Sequence, residues 1–175
     1  MRWIGFFLAA VAAVIVQISL GAVLRFRLGS GGLCLAVDFL AILAVMIGLR
    51  ASETAPAILA GWILGLGIDL ATTGTPVGLY ALTFAMATAV VAQIRPAVFV
   101  ENPLTQAIVA LVFCLLAHGA ARTFICLYVQ PGSGLGRQWL QALLGGLATA
   151  VVAPPVLRAL RPLSGLIILQ PRRRR

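Results

Sequence analysis

Long apolar runs, interrupted by short clusters of glycine, proline and arginine, make up nearly the whole chain. They fall at about 3–24, 31–49, 55–71, 77–93, 104–129 and 137–157. Each is close to the length at which a helix crosses the roughly 30 Å hydrocarbon core of a bilayer. Membrane-crossing strands are about ten residues long and polar at every second position, a pattern these runs lack, so helices are predicted. The interruptions have local causes. Gly29-Ser30-Gly31-Gly32 enters a helix only at a cost in backbone entropy, and Thr75 before Pro76 reads as an N-cap followed by a first-turn proline. Pro96, Pro103 and the run PGSGLG at 131–136 break the later stretches. The prediction is an all-α integral membrane protein, a bundle of about six transmembrane helices. They form one domain over 1–162, followed by a short interfacial segment and a basic tail over 163–175.

Composition supports that class and excludes an ordinary soluble one. The 175 residues are 62% hydrophobic and 10% charged, with mean hydropathy +1.09, against roughly 25% charged residues in soluble domains. The first run has a longer apolar core than the roughly 7–15 residues of a signal peptide and no A-x-A site before a polar region, so it is expected to remain as the first helix. Lysine is absent, and orientation rests on arginine. With six spans, Arg2, Arg50, Arg95, Arg158, Arg161, Arg172, Arg173, Arg174 and Arg175 share the side of the termini, against Arg25, Arg27 and Arg137 on the other. That imbalance predicts both termini in the cytoplasm. The tail QPRRRR suits anionic lipids, each arginine near the surface contributing about 1 kcal/mol. The LSGLIIL run before it is too short to span and is expected at the interface. No folded reading module accompanies the tail, so nucleic acid is not an expected partner.

Three charges fall inside the runs. Arg122 lies in the fifth, Asp38 in the second and Asp69 near the end of the third, and counting residues from the outer ends puts them in one layer. Arg122 cannot lose its charge and needs compensation. Counting back by fours from Asp69 gives Gly65, Gly61 and Ala57, a stripe of small residues against which another helix can pack. Ala81, Ala85 and Ala89 offer a similar stripe on the fourth run. Asp69 is therefore expected to face a neighbouring helix with Arg122 as its partner. A hydrated interfacial carboxylate and a direct ligand or ion site are the alternatives, the latter because intramembrane charges begin as functional hypotheses.

Cys114, His118, Arg122 and Cys126, spaced by four, share one face of the fifth helix. An arginine interrupts them and the cysteines stand some 18 Å apart, so no metal site is expected, and His118 reads as a packed neutral side chain. Cys34 stands alone in the second run, leaving neither a disulfide framework nor a redox motif. G-x-S-x-G, H-E-x-x-H and P-loop patterns are missing, and Glu53 and Glu101 fall in loops on the far side from the charged layer. Neither an enzyme nor a cofactor is predicted.

VDFLAILAVMIGLR at 37–50 followed by GWILGLGIDLATTGTPVGLYAL at 61–82 resembles MreD, the small integral membrane subunit of the bacterial rod-shape system. That family shows a glycine-rich helix ending G-x-x-x-D-L and a loop of the type S-G-x-x-x-G. Gly65, Asp69, Leu70, Gly74 and Gly78 match this pattern, with Pro76 inside the loop, and Asp38 fits the start of the preceding conserved helix. Val37 stands where the family usually has proline. QALLGGLATAVVAPPVLRAL at 141–160 is similar to the family's small-residue final helix. The resemblance implies a non-catalytic scaffold in the cytoplasmic membrane that supports peptidoglycan synthesis and cell shape. Its implied partners are an MreC-like protein, a RodA-type polymerase and that polymerase's class B penicillin-binding transpeptidase. Asp38, Asp69, Arg122, Gly61 and Gly65 would then fix the helix packing that presents a docking face. Substrate-binding subunits of energy-coupling-factor vitamin transporters, which also have six helices and an A-x-x-x-A contact like that of Ala9 and Ala13, are the alternative.

Overall fold

The apolar runs form six helices in the computed structural model: α1 (Trp3–Val23), α2 (Phe39–Arg50), α3 (Thr54–Ala71), α4 (Leu79–Ile94), α5 (Pro103–Phe124) and α6 (Leu135–Ala159). The structure describes residues 3–23, 26–28, 33–72, 75–98, 101–129 and 134–161. A 3-10 turn at Arg95–Ala97 continues α4, and a π-helical turn at Ile125–Val129 continues α5. With those extensions, α3, α4, α5 and α6 are long and apolar enough to cross a membrane, while α1 and α2 supply the shorter apolar stretches Trp3–Ser19 and Phe39–Arg50. The architecture is consistent with a multi-pass membrane protein. The segment 163–175 lies outside the described residues, as does Gly74.

The second run departs from expectation. Its first residues are not helical: β1 (Phe26–Leu28) and β2 (Leu33–Leu35) pair antiparallel, with Arg27 opposite Cys34, and α2 begins only at Phe39. Asp38 is the reason. Its backbone is extended (φ −106, ψ 100), and its carboxylate accepts the Leu40 and Ala41 N–H groups at 3.0 and 3.1 Å. A side chain can cap in this way only from a non-helical position, so the carboxylate both starts α2 and bars its extension backwards. At 12 residues α2 is about 18 Å long, well short of a crossing.

This short helix is the centre of the bundle. Every residue from Leu40 to Leu49 is buried, and α1, α3, α4, α5 and α6 all pack on it. Apolar side chains all round suit a helix surrounded by others. Beside it α3 pairs with α4 and α5 with α6, each pair antiparallel. Gly61 and Gly65 of α3 lie directly on α4: a Cβ at Gly61 would strike Thr88, and one at Gly65 would strike the Tyr80 carbonyl and stand 2.6 Å from the Ala81 Cα. The facing surface of α4 is therefore Ala81, Phe84 and Thr88 rather than a stripe ending at Ala89, which is only half-buried. On α5, Gly119 receives the Trp139 ring of α6, while Gly146 of α6 lies over Cys114 and Leu111. Phe84 and Phe113 join α4 to α5 edge to face, ring centroids 5.2 Å apart.

Candidate functional site

Asp69 sits in the last turn of α3 and is 3% exposed. Its Oδ2 accepts the N–H groups of Gly78 at 3.0 Å and Ala81 at 3.1 Å, and its Oδ1 accepts that of Tyr80 at 3.1 Å. It thus caps α4 from the preceding helix, satisfying donors that a helix start leaves open. This corrects two expectations. Arg122 is not its partner: among the described residues no carboxylate stands within 4.0 Å of Arg122, and the Asp69 oxygens meet the start of α4 instead. Thr75 does not cap either: α4 starts three residues beyond Pro76, after Gly78 with φ +98, and the buried Thr75 hydroxyl has no partner among the described residues. Pro76 is exposed in the turn before it.

Asp38 lies elsewhere. Besides capping α2 through Oδ1, it meets His118 of α5, whose Nε2 is 2.8 Å from Oδ2. An ionised carboxylate only accepts, so Nε2 carries the hydrogen. The extended chain leading into α2 is held on two further sides. The Asp38 N–H donates to the Thr149 hydroxyl of α6 at 3.1 Å, and the Phe39 N–H donates to the Gln17 Oε1 of α1 at 2.7 Å. Thr149 in turn donates to the Gly145 carbonyl at 2.8 Å. Tyr80 and Phe84 flank the His118 ring edgewise, with centroids 5.7 and 5.8 Å away.

Arg122, one turn beyond His118 on α5, donates from Nη1 to the Gln138 Oε1 at 3.0 Å and the Gln141 Oε1 at 2.8 Å, both on α6. Its Nε is buried and has no partner, and among the described residues no carboxylate stands within 4.0 Å of it. Counted along the helices, Asp69 is about 3 Å from the end of α3. Arg122 and His118 are about 10 and 16 Å from the end of the π turn at Val129, with Asp38 level with His118.

Between these groups runs a cleft of about 310 Å³, lined by Gln17, Asp38, His118, Arg122, Gln141 and Thr149 together with the extended segment at Ala36 and Val37. Non-helical backbone at membrane depth persists where it is buried in protein or lines a cavity; here it does both. Asp38 accepts from three donors on its two oxygens and Asp69 from three on its own. Among the described residues no three His, Cys, Asp or Glu side chains converge as metal ligands. Of the predicted site residues, Asp38 and Arg122 line the cleft; Gly61, Gly65, Asp69 and Gly78 build the α3–α4 joint. Gly74 and Arg172 to Arg175 lie outside the described residues. Sequence reasoning passed over Gln17, Gln138, Gln141, Thr149 and the His118 bond to Asp38. Their signal was simple polarity: an amide or hydroxyl in an apolar run needs a partner across a helix interface.

Fold and cleft together are those of an all-α bundle with a polar interior site, consistent with a multi-pass membrane protein. No family model, no curated protein and no solved structure matches the chain.

Proposed function

We propose that this protein is a non-catalytic scaffold subunit of a bacterial cell-elongation complex, of the MreD kind, in the cytoplasmic membrane with both termini in the cytoplasm. The supporting observation is the α3–α4 joint. Three of the positions that carry the resemblance, Gly65, Asp69 and Gly78, meet there: Gly65 admits the α4 backbone, Asp69 caps α4, and Gly78 supplies the left-handed turn between them; Leu70 is exposed beside them. A motif whose carboxylate is wholly spent on backbone N–H groups serves architecture, as a docking subunit requires. An MreC-like protein, a RodA-type polymerase and its class B transpeptidase are the partners, with anionic lipids at the basic tail.

The vitamin-transporter reading draws on the cleft. It calls for aromatic and polar groups converging on a ligand; the cleft has the polar groups, and its one ring among the described lining residues is the His118 imidazole, which is bonded to Asp38.

The test is purification of the tagged full chain from its native membrane in mild detergent, with identification of everything that accompanies it. An MreC-like protein or a peptidoglycan polymerase is the expected companion. ATP-binding cassette subunits with a bound vitamin would overturn the scaffold. Reporter fusions at either end are expected to be active in the cytoplasm.

A further inference from the structure

The cleft carries more donors than the protein uses. Gln17 and Gln141 both turn their oxygens to protein donors, the Phe39 N–H and Arg122 Nη1. What each amide has left for the cleft is its NH2 group. Arg122 has both neutral amides on Nη1, which leaves its side-on edge, Nε–H with Nη2–H, without an acceptor among the described residues. Nε is shut off from the cleft, and Nη2 is left to give an oxyanion a charge-assisted hydrogen bond. Among the described residues no carboxylate stands within 4.0 Å of the guanidinium; Asp38 lines the same cleft but is bonded to the start of α2 and to His118. A guanidinium about 10 Å inside the helix end that touches only neutral amides has no direct counter-ion among the described residues, and an unpartnered buried N–H adds its own cost.

We infer that the cleft binds a phosphate-bearing ligand, its oxygens taken by Nη2 of Arg122 and the amide NH2 groups of Gln141 and Gln17. A tetrahedral phosphate offers acceptors in several directions, matching donors that come from α1, α5 and α6. At about 310 Å³ the cleft takes a headgroup or a small phosphate, and is at the low end of ligand sites. Nothing in this assignment depends on the scaffold reading, and capture of partner proteins tests that reading separately.

The full chain in a non-ionic, phosphate-free detergent is unfolded by heat while its tryptophan fluorescence is followed. The additions are inorganic phosphate, phosphatidylglycerol, and sodium chloride at matched ionic strength. A ligand of the folded state raises the unfolding temperature with concentration. A rise with inorganic phosphate marks a site for the free anion, and a rise with phosphatidylglycerol alone marks a lipid headgroup site; either supports the proposal. Two variants separate binding from folding. Gln141→Glu keeps an oxygen for Arg122 and supplies the missing countercharge, and Gln17→Glu keeps the acceptor for Phe39 while replacing NH2 donors with a carboxylate. Both are expected to fold, and each to bind about tenfold weaker, the equivalent of one lost charge-assisted contact. No rise with either phosphate source, an equal rise with chloride, or a rise undiminished in both variants would overturn the proposal.

Discussion

Asp38 and Asp69 do the same local job in different surroundings. Each is an acidic residue in an apolar run that accepts the first-turn N–H groups of a helix, Asp38 for its own and Asp69 for the next one along. Asp69→Ala strands three donors where water is scarce and is expected to cost about 3 kcal/mol, while Asp69→Asn, which keeps one acceptor, costs roughly half that. Unfolding in detergent by added dodecyl sulfate reads both. At Asp38, Asp38→Ser keeps the cap but cannot reach His118, so it separates the two roles. A loss of about 1 kcal/mol is expected for Ser and about 3 kcal/mol for Ala, where cap and pair are lost together.

The glycines matter through the helices they bring together. At Gly65 an added Cβ meets backbone of α4, which cannot rotate away as a side chain could, so Gly65→Ala must force α3 and α4 apart. A penalty of about 3 kcal/mol, the upper end for overpacking, is expected. Gly78→Ala is a useful contrast. Its Cβ meets nothing within 4 Å, and the cost is only the left-handed backbone at φ +98, about 1 kcal/mol. The same unfolding assay ranks the two. The late start of α2 has a chemical readout: in a background lacking Cys34, Cys114 and Cys126, Ala36→Cys is expected to react with a water-soluble thiol reagent. Ala44→Cys, at 0% exposure in the middle of α2, is expected to stay unmodified until the protein is denatured.

Across the bundle, the intramembrane charges belong to two separate assemblies. Asp69 is fixed at the α3–α4 joint, while Arg122 joins α5 to α6 beside the cleft. Exchanging the two charges, Asp69→Arg with Arg122→Asp, is therefore expected to restore nothing. The double variant should lose about the sum of the single losses, as sites with no shared hydrogen-bond partner do; partial recovery in the unfolding assay would mean that the two meet.

The apolar runs 3–24, 55–71, 77–93, 104–129 and 137–157 were legible to within a few residues because run length and the glycine and proline breaks are local properties of the chain. The stripe Gly61, Gly65 and Asp69 was legible for a related reason: spacing by four is set inside one helix, whatever that helix packs against. The partners of the charges were not. Which helix lies beside which is decided by side chains far apart in the chain, as with His118 and Asp38, 80 residues apart. The start of α2 was hidden for the same reason. Leu33 to Val37 is apolar enough for either a helix or an extended strand, and the hydroxyl of Thr149 and the amide of Gln17, brought in from the other end of the chain and from α1, satisfy the N–H groups that an extended entry leaves bare.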